Sequence, residues 1–274
     1  MRFKLAASLV LLAIAGFLAG YLRREPARLV FLAVGQGDST LLSADGVHVL
    51  IDAGPAKDGY DAGKALVLPK LRAYGVERLA LIFLTHPDAD HIGGTGAVLD
   101  RYPEARLVIN QAFAGHPDLR EGLRRWRVPE QNVIWASGLR EFRFGDTCVR
   151  CYAPSEVTED NEGSLILQIR HGRAEAAFSG DAPSDAEARA SKVADWSSDL
   201  MAAGHHGSRT STSEAWLDEV RPSTVVVSCG RDNAYGHPAE EVLARLRESA
   251  VKVHRTDLEG DLVFEPSPEG FRRR

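Results

Sequence analysis

The sequence predicts an α/β fold in which mixed β-sheets are covered by helices on their outer faces. Three observations predict it. Strand-like and helix-like periodicities alternate through Leu79–Leu84, Gly96–Tyr102 and Arg106–Ile109, and again from Asp199 to Val253. Between these regions, Phe142–Tyr152 and Ser164–Phe178 read as mainly antiparallel strands. Finally, several hydrophobic runs deliver an Asp or His to their C-terminal ends, where layered α/β folds place their sites.

The elements follow in order. Arg28–Val34, Ser39–Ser43 and Val47–Ile51 read as three strands joined by short Gly/Asp turns. Ala62–Tyr74 has apolar residues at helical spacing and stops at Gly75. Leu79–Leu84 is an unbroken apolar run, as in a fully buried strand, and Gly93, Gly94 and Gly96 then allow a tight turn into a helix. Glu240–Glu248 is the clearest late helix. No repeat, low-complexity tract or linker interrupts residues 28–266, a length that suits one core. Residues 267–274 read as a frayed basic tail ending in Arg272–Arg274.

Residues 1–27 have a separate job. Arg2 and Lys4 precede an apolar run from Leu5 to Leu22, followed by Arg23-Arg24-Glu25-Pro26. That run is long enough to span a bilayer as a transmembrane helix. Ala13-Ile14-Ala15 also fits the small-x-small rule of a cleaved signal peptide, but cleavage there leaves a hydrophobic new N-terminus, so a signal anchor is preferred. Either reading puts the rest of the chain outside the cytoplasmic membrane, anchored to it or secreted or periplasmic.

The net charge of −5 argues against a protein that coats nucleic acid electrostatically. Arg120, Arg124, Arg125 and Arg127, interleaved with Trp126, read as a solvated charged face rather than a phosphate grip. Cys148 and Cys151 sit in a predicted strand with side chains on opposite faces, and Cys229 follows a buried strand. All three read as small apolar residues, not as a zinc ribbon.

The chemistry concentrates in Thr85-His86-Pro87-Asp88-Ala89-Asp90-His91, where four side chains able to ligate zinc or a similar ion close a buried strand. Later strand ends add Gly180-Asp181, His205-His206-Gly207-Ser208 and Tyr235-Gly236-His237-Pro238. Together with Val34-Gly35-Gln36-Gly37-Asp38-Ser39-Thr40 and Ile51-Asp52-Ala53-Gly54, these segments resemble the metallo-β-lactamase-fold hydrolases. Within them the chain is similar to the soluble C-terminal hydrolase domain of the ComEC competence proteins, over residues 28–266. The resemblance implies a four-layer αββα sandwich with two divalent metal ions, zinc or manganese, at one edge between the sheets. It implies a first metal site of His86, Asp88 and Asp181, and a second of Asp90, His91 and His205 bridged by Asp181.

The sequence departs from the common pattern His-x-His-x-Asp-His, because Asp88 replaces the second histidine. The next histidine ligand has no counterpart; Asn161-Glu162-Gly163-Ser164-Leu165 stands there, resembling an Asn-rich turn of the ComEC branch. More carboxylate and less imidazole favours harder ions such as manganese. Asp90 is expected to orient the attacking water. Asp52 either fixes a ligand imidazole or forms a turn before Gly54. His237 has three readings: proton donor to the leaving group, clamp on the scissile phosphate, or helix-initiating residue before Pro238. Gly207, Ser208, Asn161 and Ser164 are candidates for holding phosphate oxygens. His206 is set aside as a ligand because one of two adjacent residues at a strand end points away.

Three functions follow. The first is a metal-dependent phosphodiesterase or nuclease, related to competence and DNA uptake, with single-stranded DNA among its phosphodiester substrates. The second is a hydrolase of another exported ester, such as envelope phosphocholine or a lactone. The third is a non-catalytic binding module.

Overall fold

The computed structural model describes residues 26–274. The N-terminal apolar run, read above as a signal anchor, lies outside the described residues. Among the described residues no helix is long and apolar enough to cross a membrane.

The strands are β1 (Arg28–Phe31), β2 (Thr40–Ala44), β3 (Val47–Ile51), β4 (Ala56–Lys57), β5 (Tyr60–Asp61), β6 (Leu81–Leu84), β7 (Arg106–Asn110), β8 (Val133–Ala136) and β9 (Gly138–Phe144). They continue with β10 (Thr147–Ala153), β11 (Ile166–His171), β12 (Ala174–Phe178), β13 (Leu200–Ala202), β14 (Thr224–Val227), β15 (Lys252–Arg255), β16 (Leu262–Ser267) and β17 (Gly270–Arg273). One sheet runs β17-β16-β1-β2-β3-β6-β7-β8 and the other β15-β14-β13-β12-β11-β10-β9.

Each sheet is part antiparallel and part parallel. In the first, β17 to β3 pair antiparallel and β3, β6, β7 and β8 pair parallel. In the second, β15 to β12 pair parallel and β12 to β9 antiparallel. Parallel neighbours need a crossover, and helices supply it. Leu68–Ala73, Thr95–Arg101 and Pro117–Arg125 serve the first sheet; Ser184–Ala190, Glu214–Val220 and Glu240–Glu248 serve the second.

The strand period of two sorts side chains into layers. Leu29, Phe31, Leu81 and Phe83 face the core between the sheets, while Val30, Leu32, Ile82 and Leu84 face the helices over the first sheet. Phe31 and Phe178 stack across the two sheets at 5.7 Å between centroids. A third apolar cluster, with Trp196, Trp216 and Val242, lies between the second sheet and its helices. These are the four layers αββα that the resemblance implies.

The antiparallel strands expected over Phe142–Tyr152 and Ser164–Phe178 are present as two hairpins, while other elements differ from the sequence reading. Phe142–Tyr152 belongs to two strands, β9 and β10, which turn at Gly145 with φ +53°. Ser164–Phe178 likewise divides into β11 and β12 at Gly172, φ +61°. Residues Gly63–Val67 open the predicted first helix as a π-helical turn. The tail is not frayed: β17 pairs with β16 because Phe271 is buried in the inter-sheet core and its amide donates to Asp199 Oδ1 at 2.9 Å. Cys148, Cys151 and Cys229 are buried free thiols.

Candidate metal centre

The parallel strands converge on one edge. Asp52 follows β3, Thr85 and His86 follow β6, and Asp181 lies just past β12. His205 and His206 sit in a turn after β13, and Ser228 follows β14. Two half-parallel sheets packed face to face thereby bring five strand ends together. The chain bends sharply to aim these side chains: Asp52, His205 and His206 have φ of 57°, 50° and 55°. Such left-handed residues cost about 1–3 kcal/mol each and are held by the surrounding packing.

Asp52 has its carboxylate fully engaged. Oδ1 accepts from the Thr85 amide at 2.8 Å, and Oδ2 accepts from Thr85 Oγ1 at 2.7 Å. Oδ2 also stands 2.8 Å from His91 Nδ1. The carboxylate therefore fixes the proton of His91 on Nδ1 and turns the Nε2 lone pair toward Asp181 Oδ1, 3.2 Å away. Facing the Asp181 carboxylate in a buried site, Nε2 calls for a positive charge between the two atoms, carried by a proton or by a metal ion.

Donor atoms form two groups around Asp181. On one side, His86 Nε2 is 3.5 Å from Asp88 Oδ2 and 3.8 Å from Asp181 Oδ2. On the other, His206 Nε2 is 3.3 Å from Asp90 Oδ2 and 3.7 Å from Asp181 Oδ2. Asp38, His91, Asp181 and His206 offer ligand atoms that all lie within 4.8 Å of one another. Ligands about 2.1 Å from a tetrahedral ion stand roughly 3.4 Å apart, which is the spacing seen here.

The residues fit divalent ions by a second criterion. Nε2 of His86, His91 and His206 and Oδ1 of Asp181 are buried and make no hydrogen bond. Buried polar atoms left unpaired are costly, and these four, gathered around Asp181, are donors suited to divalent cations. The electrostatics agree. Burial by itself would raise the Asp181 carboxyl, but His91, His206 and His86 outweigh it and hold the group well below the usual carboxylate range. Burial likewise opposes the charge of His91, yet Asp181 and Asp52 raise it well above the ordinary imidazole value. Asp90 falls to about 2, because His206 and His91 outweigh its burial. Positive charge is stabilised at this point, whether carried by protons or by metal.

His205 and His206 do not alternate as strand residues would. The left-handed turn directs both rings to Asp181: His205 Nε2 lies 3.4 Å from Oδ2, and its ring keeps 27 % exposure. His206 is fully enclosed, with Nδ1 3.0 Å from the Ser228 carbonyl and Nε2 free toward Asp90. His206 therefore belongs among the donors, contrary to the expectation from strand alternation, because the backbone here is a turn and not a strand. Asp38 joins the group although sequence reading gave it no role. Its signal was the Gly35-Gln36-Gly37-Asp38 turn. A Cβ at Gly37 would fall 2.2 Å from the Asp90 carbonyl, so only glycine lets Asp38 approach.

Candidate phosphate-holding residues have other partners. Ser164 Oγ is buried and accepts from the Asp181 amide at 3.2 Å, so it positions Asp181. The Ser208 amide closes the turn on the His205 carbonyl at 2.8 Å, and its hydroxyl pairs with Thr210 Oγ1 at 3.0 Å. Gly207, φ +81°, packs so tightly on Pro238 that a Cβ would meet the proline Cβ at 2.6 Å. Asn161 lies in the short turn Asp160–Gly163, which Asn110 ties to β7 through the Gly163 carbonyl at 2.9 Å. His237 packs edge-on against His205 at 5.7 Å, and its buried Nδ1 makes no hydrogen bond. It stands beside the centre rather than starting a helix, since Glu240–Glu248 begins later.

Fold and site together define a class. Residues 32–231 match the metallo-beta-lactamase superfamily, and the chain belongs to it. Within that class it is similar to competence proteins of the ComEC family. It is 36 % identical over 236 residues to competence protein ComA of Neisseria gonorrhoeae, covering 84 % of this chain and 31 % of that protein. It is 30 % identical over 254 residues to ComE operon protein 3 of Bacillus subtilis, covering 84 % and 32 %. The chain thus spans about a third of the length of these relatives. Among solved structures, the fold is shared with the metallo-beta-lactamase fold protein YhfI from Bacillus subtilis at TM-score 0.59, 13 % identity, and 88 % and 100 % coverage. The diiron β-hydroxylase CmlA from Streptomyces venezuelae shares it at TM-score 0.61, 16 % identity, and 88 % and 54 % coverage.

Proposed function

We propose that this chain is a metal-dependent phosphodiesterase that cleaves DNA or RNA strands outside the cytoplasmic membrane. The observation that carries the reading is the pair of donor groups meeting at one buried carboxylate, Asp181. His86, Asp88 and Asp181 would hold one divalent ion, and Asp38, Asp90, His91, His206 and Asp181 the other, with His205 beside them. Such a pair, zinc or manganese, lowers the pKa of water and neutralises charge on phosphoryl oxygens. The chain's own residues do the rest. Asp90 accepts a hydrogen bond from the attacking water and orients it. Asp52 and Ser164 hold His91 and Asp181 in place. His237 offers its ring nitrogen to a phosphoryl or leaving-group oxygen.

Similarity to competence proteins supports nucleic acid as the substrate. The carboxylate-rich donor set supports hard ions and phosphoryl chemistry over the chemistry of lactams. The apolar run from Leu5 to Leu22 supports the location. The test is turnover of bis-p-nitrophenyl phosphate and single-stranded DNA, metal-free and with zinc or manganese, beside Asp181→Ala. Metal-stimulated cleavage of both, lost in the variant, is expected. Cleavage of neither by a metal-loaded chain would overturn the reading and direct the search to envelope esters and lactones.

A further inference from the structure

Tyr235 is the most exposed large hydrophobic side chain among the described residues, at 69 %. Its ring lies nearly parallel to that of His237, 5.8 Å between centroids and 11° between planes. His237 in turn packs against His205 at the edge of the metal centre, 5.7 Å away. The loop that carries Tyr235 is fixed. Asn233 Oδ1 accepts from the His237 amide at 2.9 Å, and Asn233 Nδ2 donates to the Gly230 carbonyl at 2.9 Å. An aromatic face held open to water on a rigid loop has no folding benefit, since burial is what stabilises such a ring.

The turn that precedes Arg209 packs on the same loop: Gly207 lies tight against Pro238, and its carbonyl accepts from the Ala239 amide at 2.9 Å. Arg209 follows directly on the His205–Ser208 turn and is exposed. Its neighbour Thr210 lies 3.3 Å from His205 Nδ1. Among the described residues no carboxylate pairs with Arg209, whereas other arginines of the charged surface, such as Arg124 and Arg247, have one. On a chain of net charge −5, an unpaired cation and an open aromatic ring on two loops packed together form a local exception.

We propose that Tyr235 and Arg209 form a strand-holding surface for single-stranded nucleic acid, in which a base stacks on the free face of Tyr235 and an adjoining phosphate meets Arg209. This rests on the phosphodiesterase reading and names its substrate class. Open aromatic rings next to unpaired cations are how proteins hold single strands without reading sequence. Two ring contacts, 5.8 and 5.7 Å between centroids, lead from Tyr235 through His237 to His205. The stacked base therefore lies a short distance along the strand from the scissile phosphate.

The test measures KM and kcat of the full chain on a single-stranded oligonucleotide and on an abasic strand of equal length. Tyr235→Ala is expected to raise KM for the base-bearing strand roughly tenfold and to move KM for the abasic strand far less. Tyr235→Phe keeps the ring and is expected to restore the original KM. Arg209→Gln is expected to raise KM for both strands and to flatten the salt dependence by about 0.7 of a log–log unit. Equal effects of Tyr235→Ala on the two strands, or no effect on either, would overturn the stacking surface while leaving the phosphodiesterase intact. A wild-type chain that hydrolyses bis-p-nitrophenyl phosphate but neither strand would overturn nucleic acid as substrate, and this surface with it.

Discussion

At the residue scale, Asp52 shows how a side chain outside the metal group governs it. Every lone pair it directs inward is spent on Thr85 or His91, so its task is to set the tautomer of one imidazole. Replacing it with the isosteric amide keeps the shape but offers an N–H where an acceptor is needed. Asp52→Asn is expected to weaken metal affinity about 10–100-fold, read by competition with a chelator. The adjacent histidines make a sharper test. His206 is enclosed between Asp90, Asp181 and Ser228, while His205 keeps a solvent-facing edge. His206→Ala is therefore expected to lose about one tightly bound ion per chain by elemental analysis, and His205→Ala to lower turnover with less loss of metal. The reverse order would make His205 the ligand, as strand alternation expects.

At the scale of elements, the turn from Ala203 to Ser208 is the part least like a regular structure. Two left-handed histidines and a glycine with φ +81° follow β13, and Pro238 closes over them. Gly207→Ala would force a Cβ onto Pro238 in a conformation that L side chains avoid. A loss of about 1–3 kcal/mol is expected in urea titrations, together with loss of turnover because both histidines hang from the same turn. An unchanged midpoint would mean that the loop yields to the methyl group. Hairpins and the C-terminal strand teach the same lesson more gently. Gly145 and Gly172 are legible as turn residues, but nothing local says that Phe271 will find a place between the sheets. That placement depends on Asp199, distant in sequence, accepting its amide.

At the scale of the whole molecule, the two sheets meet through aromatic contacts such as Phe31 with Phe178 and Phe83 with Phe142. Phe31→Ala is expected to cost about 3–5 kcal/mol, since the cavity it opens lies between sheets that cannot close over it. The candidate metal centre lies at the edge of the same interface and draws its donors from both sheets. Carboxylates of Asp52, Asp90 and Asp38 come from the first sheet and its loops, and Asp181 and His206 from the second. An ion held by both favours the folded state alone. Chelation is expected to lower Tm, and zinc or manganese at a hundred times its Kd to return about 2.7 kcal/mol. A melting curve indifferent to chelator and metal would show that no ion bridges the sheets.

What the sequence determined by itself was whatever repeats over a few residues. The strand and helix periods, the glycines of the turns and the strand-end donors His86, Asp88, Asp90, His91 and Asp181 were all readable, because hydrophobic alternation and ligand spacing are local patterns. Tertiary structure alone decided which side chains share a point in space. It drew in Asp38 through a glycine contact with the Asp90 carbonyl, turned His206 inward through a left-handed backbone, and set the Ser164 hydroxyl against the Asp181 amide. It also made a strand of the basic tail. Each of these depends on backbone from a distant segment supplying a neighbour, a hydrogen bond or a steric limit, and no periodicity within a short window encodes that.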